Sequence, residues 1–183
     1  MRVKSVIGST LAVLALMAGT ASAVAAASRG GANAPDNLAG LRASTDAFHS
    51  IAVSEQRGYL LLRDAKGIAC IDMPGTGGMG VHWANSMLVN DPAIVATRPE
   101  ALVYAPMPDG TLQLAALEYV VIKSAWDATH HHPPALLGHR FNVTPAPNRF
   151  GLPSFYSLHV WVWEHNPAGT FEMWNPRVVC SGG

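Results

Sequence analysis

The chain has little charge, almost no cysteine and no internal repeat. Only 13% of its 183 residues are charged, and 12 basic side chains offset 12 acidic ones. It contains no basic block able to neutralise a run of phosphates, so nucleic acid and anionic membrane surfaces are poor partners. Glycines are frequent in GTGGMGVHWAN, yet no Gly-Lys-Ser/Thr follows them. Their spacing is not that of a dinucleotide fingerprint either, which removes phosphate binding as their purpose. There is no G-x-S-x-G elbow, which argues against a serine hydrolase. The metal-binding pattern H-E-x-x-H is also missing, as is any cupin-like arrangement, and H-x-H occurs only within the run His130–His132.

A long apolar run occurs only at the N-terminus. Arg2 and Lys4 precede VIGSTLAVLALMAG, and small residues follow in TASAVAAAS. Spaced alanines at 21–23, 23–25 and 25–27 offer signal-peptidase cuts, so residues 1–27 read as a cleavable signal peptide. The apolar core is shorter than the roughly 20 residues that span a bilayer. Cleavage would remove Arg2 and Lys4 and leave a slightly acidic product, secreted or periplasmic, with no membrane insertion afterwards. Residues 28–37 read as a flexible leader and 38–180 as a single globular domain, a size that can bury a real core.

The two cysteines, Cys70 and Cys180, fit one disulfide in an oxidising compartment. Free thiols or a pair of metal ligands are the alternatives. A bridge would leave no cysteine for catalysis.

The expected elements begin with an amphipathic helix over about 38–57. It is capped near Asp36 and ends at Gly58, with Leu38, Leu41, Thr45, Phe48, Ile51 and Tyr59 on one stripe. Strands are expected at 68–72, 79–84, 101–105, 111–123 and 155–165, and 106–110 (PMPDG) should turn a hairpin. The segment 126–153 is rich in proline and reads as loop-rich. One helix before several antiparallel strands predicts an α+β fold, the helix packing on a curved antiparallel sheet as in cystatin-like or NTF2-like rolls. The alternative is a closed β-barrel with the helix across its end.

Chemistry is concentrated at a few positions. In LHVWVWEHN, alternation puts His159, Trp161, Trp163 and His165 on one face and Leu158, Val160, Val162 and Glu164 on the other. The aliphatic face suits the main core, and the His/Trp face suits a pocket or the underside of a loop. Glu118 is the only charge within the apolar run of LAALEYVVIK, which ends at Lys123. A buried carboxylate must find a cation, a histidine, a metal or water, or take up a proton, and this makes Glu118 the best acid–base candidate. His82 shares its face with Gly80 and Ala84, which leave room around its ring. His49 lies at the edge of the helix's buried stripe. His49, His82, Glu118 and His159 come from four elements, and together they would suit one divalent transition metal, Zn²⁺, Cu²⁺, Fe²⁺ or Mn²⁺. The run His130–His132 reads as an exposed loop able to hold metal only loosely.

Three long segments carry a resemblance: GGMGVHWAN, the stretch from RPEALVYAP to ALEYVV, and LHVWVWEHNPAGTFEMWNPRVVC. With Phe48–His49 in the N-terminal helix, they resemble a family of exported bacterial proteins with no established activity. The resemblance covers about residues 40–180. It implies a bacterial, secreted or periplasmic setting and draws attention to Phe48, His49, His82, Glu118, His159 and Trp163. His130–His132 fall outside the matching segments, and the family supplies no reaction.

Three functions therefore compete. The first is a metal-binding domain using His49, His82, Glu118 and His159. The second is a non-catalytic small-molecule binder whose pocket is lined by Trp83, Tyr119, Trp161 and Trp163. The third is a structural or interaction module of the cell exterior.

Overall fold

A computed structural model describes residues 37–180. The expected signal peptide and all but the last residue of the expected leader lie outside the described residues. The helical part comes first: α1 (Leu38–Thr45), a 3-10 turn (Asp46–His49) and α2 (Ile51–Gln56). Two-residue β1 (Leu60–Leu61) follows, then β2 (Cys70–Met73), β3 (Gly77–Ala84), α3 (Ser86–Val89), β4 (Ala101–Pro106) and β5 (Leu112–Ile122). The rest comprises α4 (Lys123–Asp127), β6 (Ala135–Leu136), β7 (His139–Arg140), β8 (Asn142–Thr144) and β9 (Phe155–Val160).

The continuous helix expected over 38–57 is broken in the middle. Thr45 turns its hydroxyl back to the Leu41 carbonyl at 2.7 Å. Ser50 adopts an extended conformation and caps α2 by accepting from the Val53 N–H. Short hydroxyl side chains compete with the helical backbone for its own hydrogen bonds, which favours such a break. Asn37 caps α1 by accepting from the Gly40 N–H, and Asp36 lies outside the described residues.

The strands form one antiparallel sheet in the order β1-β3-β4-β5-β9-β8, with β2 also pairing with β3. β6 and β7 form a separate small ribbon. The 106–110 turn joins β4 to β5 as a hairpin, closed by the Met107 N–H donating to the Thr111 carbonyl at 2.9 Å. The sheet is curved and open, so the roll describes the fold and the barrel does not. Irregular register between Ile71 and Asp72 and between Val103 and Tyr104 adds local twist.

Each face of the sheet has its own cover. Val81, Trp83, Leu102, Tyr104, Leu117, Tyr119, Leu158 and Val160 form the larger core with Leu41 and Tyr59. The helical segment lies here. The Tyr104 hydroxyl donates to the Phe48 carbonyl and pairs with the Ser54 hydroxyl, both at 2.7 Å. The opposite face carries a smaller cluster of Val103, Ala105, Ala116, Trp161 and Val178. Val178 comes from the chain's final segment. That segment is held to β3 by reciprocal backbone bonds between Gly78 and Asn175 at 3.0 and 2.9 Å. A disulfide joins Cys180 to Cys70 on β2, as expected.

A candidate metal centre on the smaller face

Three strands project one ligand-bearing side chain each onto the smaller face. The register pairs Ala84 with Ala101, Ala101 with Glu118 and Glu118 with His159. His82 stands two residues before Ala84 and therefore on the same side. Strand β4 lies between His82 and Glu118 but contributes only Ala101 and Val103 there. These short side chains leave the space through which His82 and Glu118 reach one another.

The geometry is tight. His82 Nε2 lies 3.3 Å from one Glu118 carboxylate oxygen, and His159 Nδ1 lies 3.4 Å from the other. The imidazole centroids are 5.5 Å apart and nearly perpendicular. One ligand atom from each of the three residues lies within 4.8 Å of the others. All three are buried, His82 at 1% exposure, His159 at 2% and Glu118 at 8%. Among the described residues, none of the four imidazole nitrogens has a hydrogen-bond partner. Buried polar groups are nearly always satisfied, so four orphaned nitrogens in one place call for an explanation.

Distances help to supply one. A direct N–H···O bond has its mode near 2.9–3.0 Å. Two ligands on one tetrahedral Zn²⁺, each bonded at about 2.0–2.2 Å, sit about 3.3–3.6 Å apart. The imidazole–carboxylate separations match the second figure. Two imidazoles and a carboxylate form a donor set suited to a single divalent ion. The nitrogens turned away from Glu118, His82 Nδ1 and His159 Nε2, lack the carbonyl or carboxylate that often orients a ligating histidine. Packing orients the rings instead. His159 lies against Trp161 at 5.9 Å, and the Trp161 indole N–H donates to the Glu172 carbonyl at 2.6 Å.

The protonation states also suit a cation. Burial pushes the His159 imidazole down to about 4, against the pull of Glu118 and with the help of His82. Burial works against ionised Glu118, but the imidazoles of His159 and His82 and the hydroxyl of Ser157 outweigh it. The carboxyl is held below its usual range. At neutral pH this gives an anionic carboxylate and a His159 ring with a free lone pair, the forms that ligate metal.

Two cavities meet at Glu118. One, of about 370 Å³, is lined by Met79, Arg149, Ser157, Met173 and Trp174 among others. The second, of about 280 Å³, runs along the strip Ala84, Ala101, Glu118 and Val120. Phe150 and Phe155 border both.

Several expected residues lie elsewhere. His49 does not join the cluster. It is exposed in the 3-10 turn, with its ring 4.3 Å from Trp163, because the break before Ser50 takes it off the helical stripe. Trp83 and Tyr119 line no cavity at Glu118. Both belong to the helix-side core, Trp83 against Tyr104 at 4.9 Å and Tyr119 donating its hydroxyl to the Ala96 carbonyl at 2.7 Å. Trp161 is 3% exposed and packed among Val103, Ala105 and Val178. Trp163 changes sides. β9 ends at Val160, and the N–H groups of Trp163 and Glu164 both donate to the Ala115 carbonyl, so the alternation is lost. The Trp163 ring then packs beside the helix-side core. His165 is exposed, and so are His130–His132, with His130 stacked on Trp126 at 3.7 Å.

Two relevant residues escaped the sequence reading. Ser157 shares the His159 face by simple alternation and was open to detection. Phe150 sits in the proline-rich segment, where no periodicity points at the site.

No protein-family model matches the chain, and no curated protein and no solved structure shows significant similarity to it.

Proposed function

We propose that the protein is a small exported metal-binding domain in which His82, Glu118 and His159 hold one divalent transition-metal ion, Zn²⁺, Cu²⁺, Fe²⁺ or Mn²⁺. The observation that carries this is the set of four buried, unpartnered imidazole nitrogens around a buried carboxylate. Without an ion, those groups are a net cost to the fold. With one, the inward-facing nitrogens gain a partner. Three protein ligands leave a further coordination position for water or a second molecule. Export is part of the proposal and rests on the N-terminal pattern of residues 1–27. The Cys70–Cys180 bridge supports it, since disulfides persist mainly in oxidising compartments. The resemblance to exported bacterial proteins points the same way.

The test is elemental analysis of protein produced without a histidine tag, after dialysis against trace metals. The expected result is one ion per chain. His82→Ala, Glu118→Gln and His159→Ala should each lower affinity by more than the roughly 10–100-fold seen when a residue that only orients a ligand is changed. Stoichiometric metal that survives all three substitutions in folded protein would refute the proposal.

A further inference from the structure

The smaller cavity at Glu118 is apolar along most of its length. Leu60, Leu62, Val89, Val120, Phe150 and Leu152 contribute to its walls, and among the described residues Glu118 is the sole ionisable group lining it. Ser86 and Asn90 line it too, both exposed. The floor, Ala84 and Ala101, is the same strip of sheet on which the metal triad stands. A volume of about 280 Å³ lies just under the usual range of small-molecule sites, about 300–1,000 Å³. The larger cavity has apolar walls too, but it is also lined by Asp72 and Arg149, two ionisable groups besides Glu118.

We infer that the apolar cavity binds a small amphipathic molecule, a short apolar chain or ring ending in an anionic oxygen-donor head group such as a carboxylate or hydroxamate, with the head group directed to the metal at Glu118. This rests on the metal-binding reading. A divalent ion held by two neutral imidazoles and one carboxylate keeps a net charge of about +1 and an open position. That charge attracts an anionic head group. The walls offer the rest of the ligand no hydrogen bonds beyond Ser86 and Asn90, so they select for apolar substance. A fully polar ligand of the same size would lose its hydration along the cavity and regain little.

Alkyl hydroxamates added to the Co²⁺-loaded, disulfide-intact protein test this, with the visible absorption bands of Co²⁺ as readout. Hexanohydroxamate should bind at least about ten-fold more tightly than acetohydroxamate, because four more methylenes are buried. Leu152→Trp and Val89→Trp, which fill the cavity away from the triad, should leave Co²⁺ affinity unchanged and abolish the chain-length difference. Equal binding of the two hydroxamates by the native protein overturns the inference. So does a difference that persists in both tryptophan variants. Failure of folded protein to bind Co²⁺ at all is seen before any hydroxamate is added, and it overturns the metal-binding reading itself.

Discussion

Individual residues of the site were legible where their neighbours were uniform. Glu118 stands out because the nine other positions of LAALEYVVIK offer no other acid, and His159 because it alternates with aliphatic residues that must face a core. A second buried acid gave no such signal. Glu100 follows Pro99 at the start of β4, at 2% exposure, and its carboxylate accepts from the Val120 N–H at 2.9 Å on the helix side. Burial raises its pKa to about 8 from 4.5, with Asp91 adding to the rise and the Val120 bond and Arg98 opposing it. Its folded-state pKa lies above the unfolded one. The associated stability is therefore fully present below about pH 4.5 and is lost as pH rises through about 8. Glu100→Gln should be close to neutral at pH 5 and should stabilise the protein at pH 8.5, by an amount on the order of 1–4 kcal/mol. Denaturant melts of both proteins at the two pH values check this, and an equal effect at both would show that Glu100 is not protonated in the fold.

The long strands were predicted well in place and less well in length, while β1, α3, α4 and the short strands β6, β7 and β8 of the proline-rich segment were not expected. Four of the five expected strands lie within about two residues of those observed, because apolar alternation and flanking Gly, Pro and Asp mark them. The fifth runs only to Val160 rather than to 165. The sequence VWVWEH continues to alternate, but the double hydrogen bond to Ala115 bends the chain, and that partner lies on another strand. The helix likewise breaks where hydroxyl side chains rather than apolar spacing decide. β3 shows how one strand secures the cover of the site. A Cβ at Gly78 would lie 2.8 Å from the Val178 carbonyl oxygen and 2.8 Å from its side chain. Gly78→Ala should therefore push the final segment off the sheet and cost on the order of 1–3 kcal/mol. Faster amide exchange at Asn175 and Val178 than in the native protein is the expected signature, and unchanged exchange would contradict it.

At the scale of the whole molecule, the disulfide bridges 110 residues and ends in the segment that covers the metal face. Replacing Cys70 and Cys180 together by serine should cost about 2–5 kcal/mol, mainly by freeing the unfolded chain. Thermal unfolding with and without the bridge measures that loss, and a loss below about 1 kcal/mol would mean that the final segment is held chiefly by its other contacts. The fold class followed from the order of elements. What could not be read from the sequence was which pairs of strands would meet, and the site depends on that. His82, Glu118 and His159 are distant in the chain and are joined only through the pairings β3–β4, β4–β5 and β5–β9.

No hairpin and no short peptide cut from this chain contains all three of these side chains. The donor set exists only while three separate ladders remain zipped, so assembling the ion's cage and completing the sheet are one equilibrium. Fraying β9 from β5 alone removes a candidate ligand, and an ion held by the three side chains would tie distant parts of the chain together.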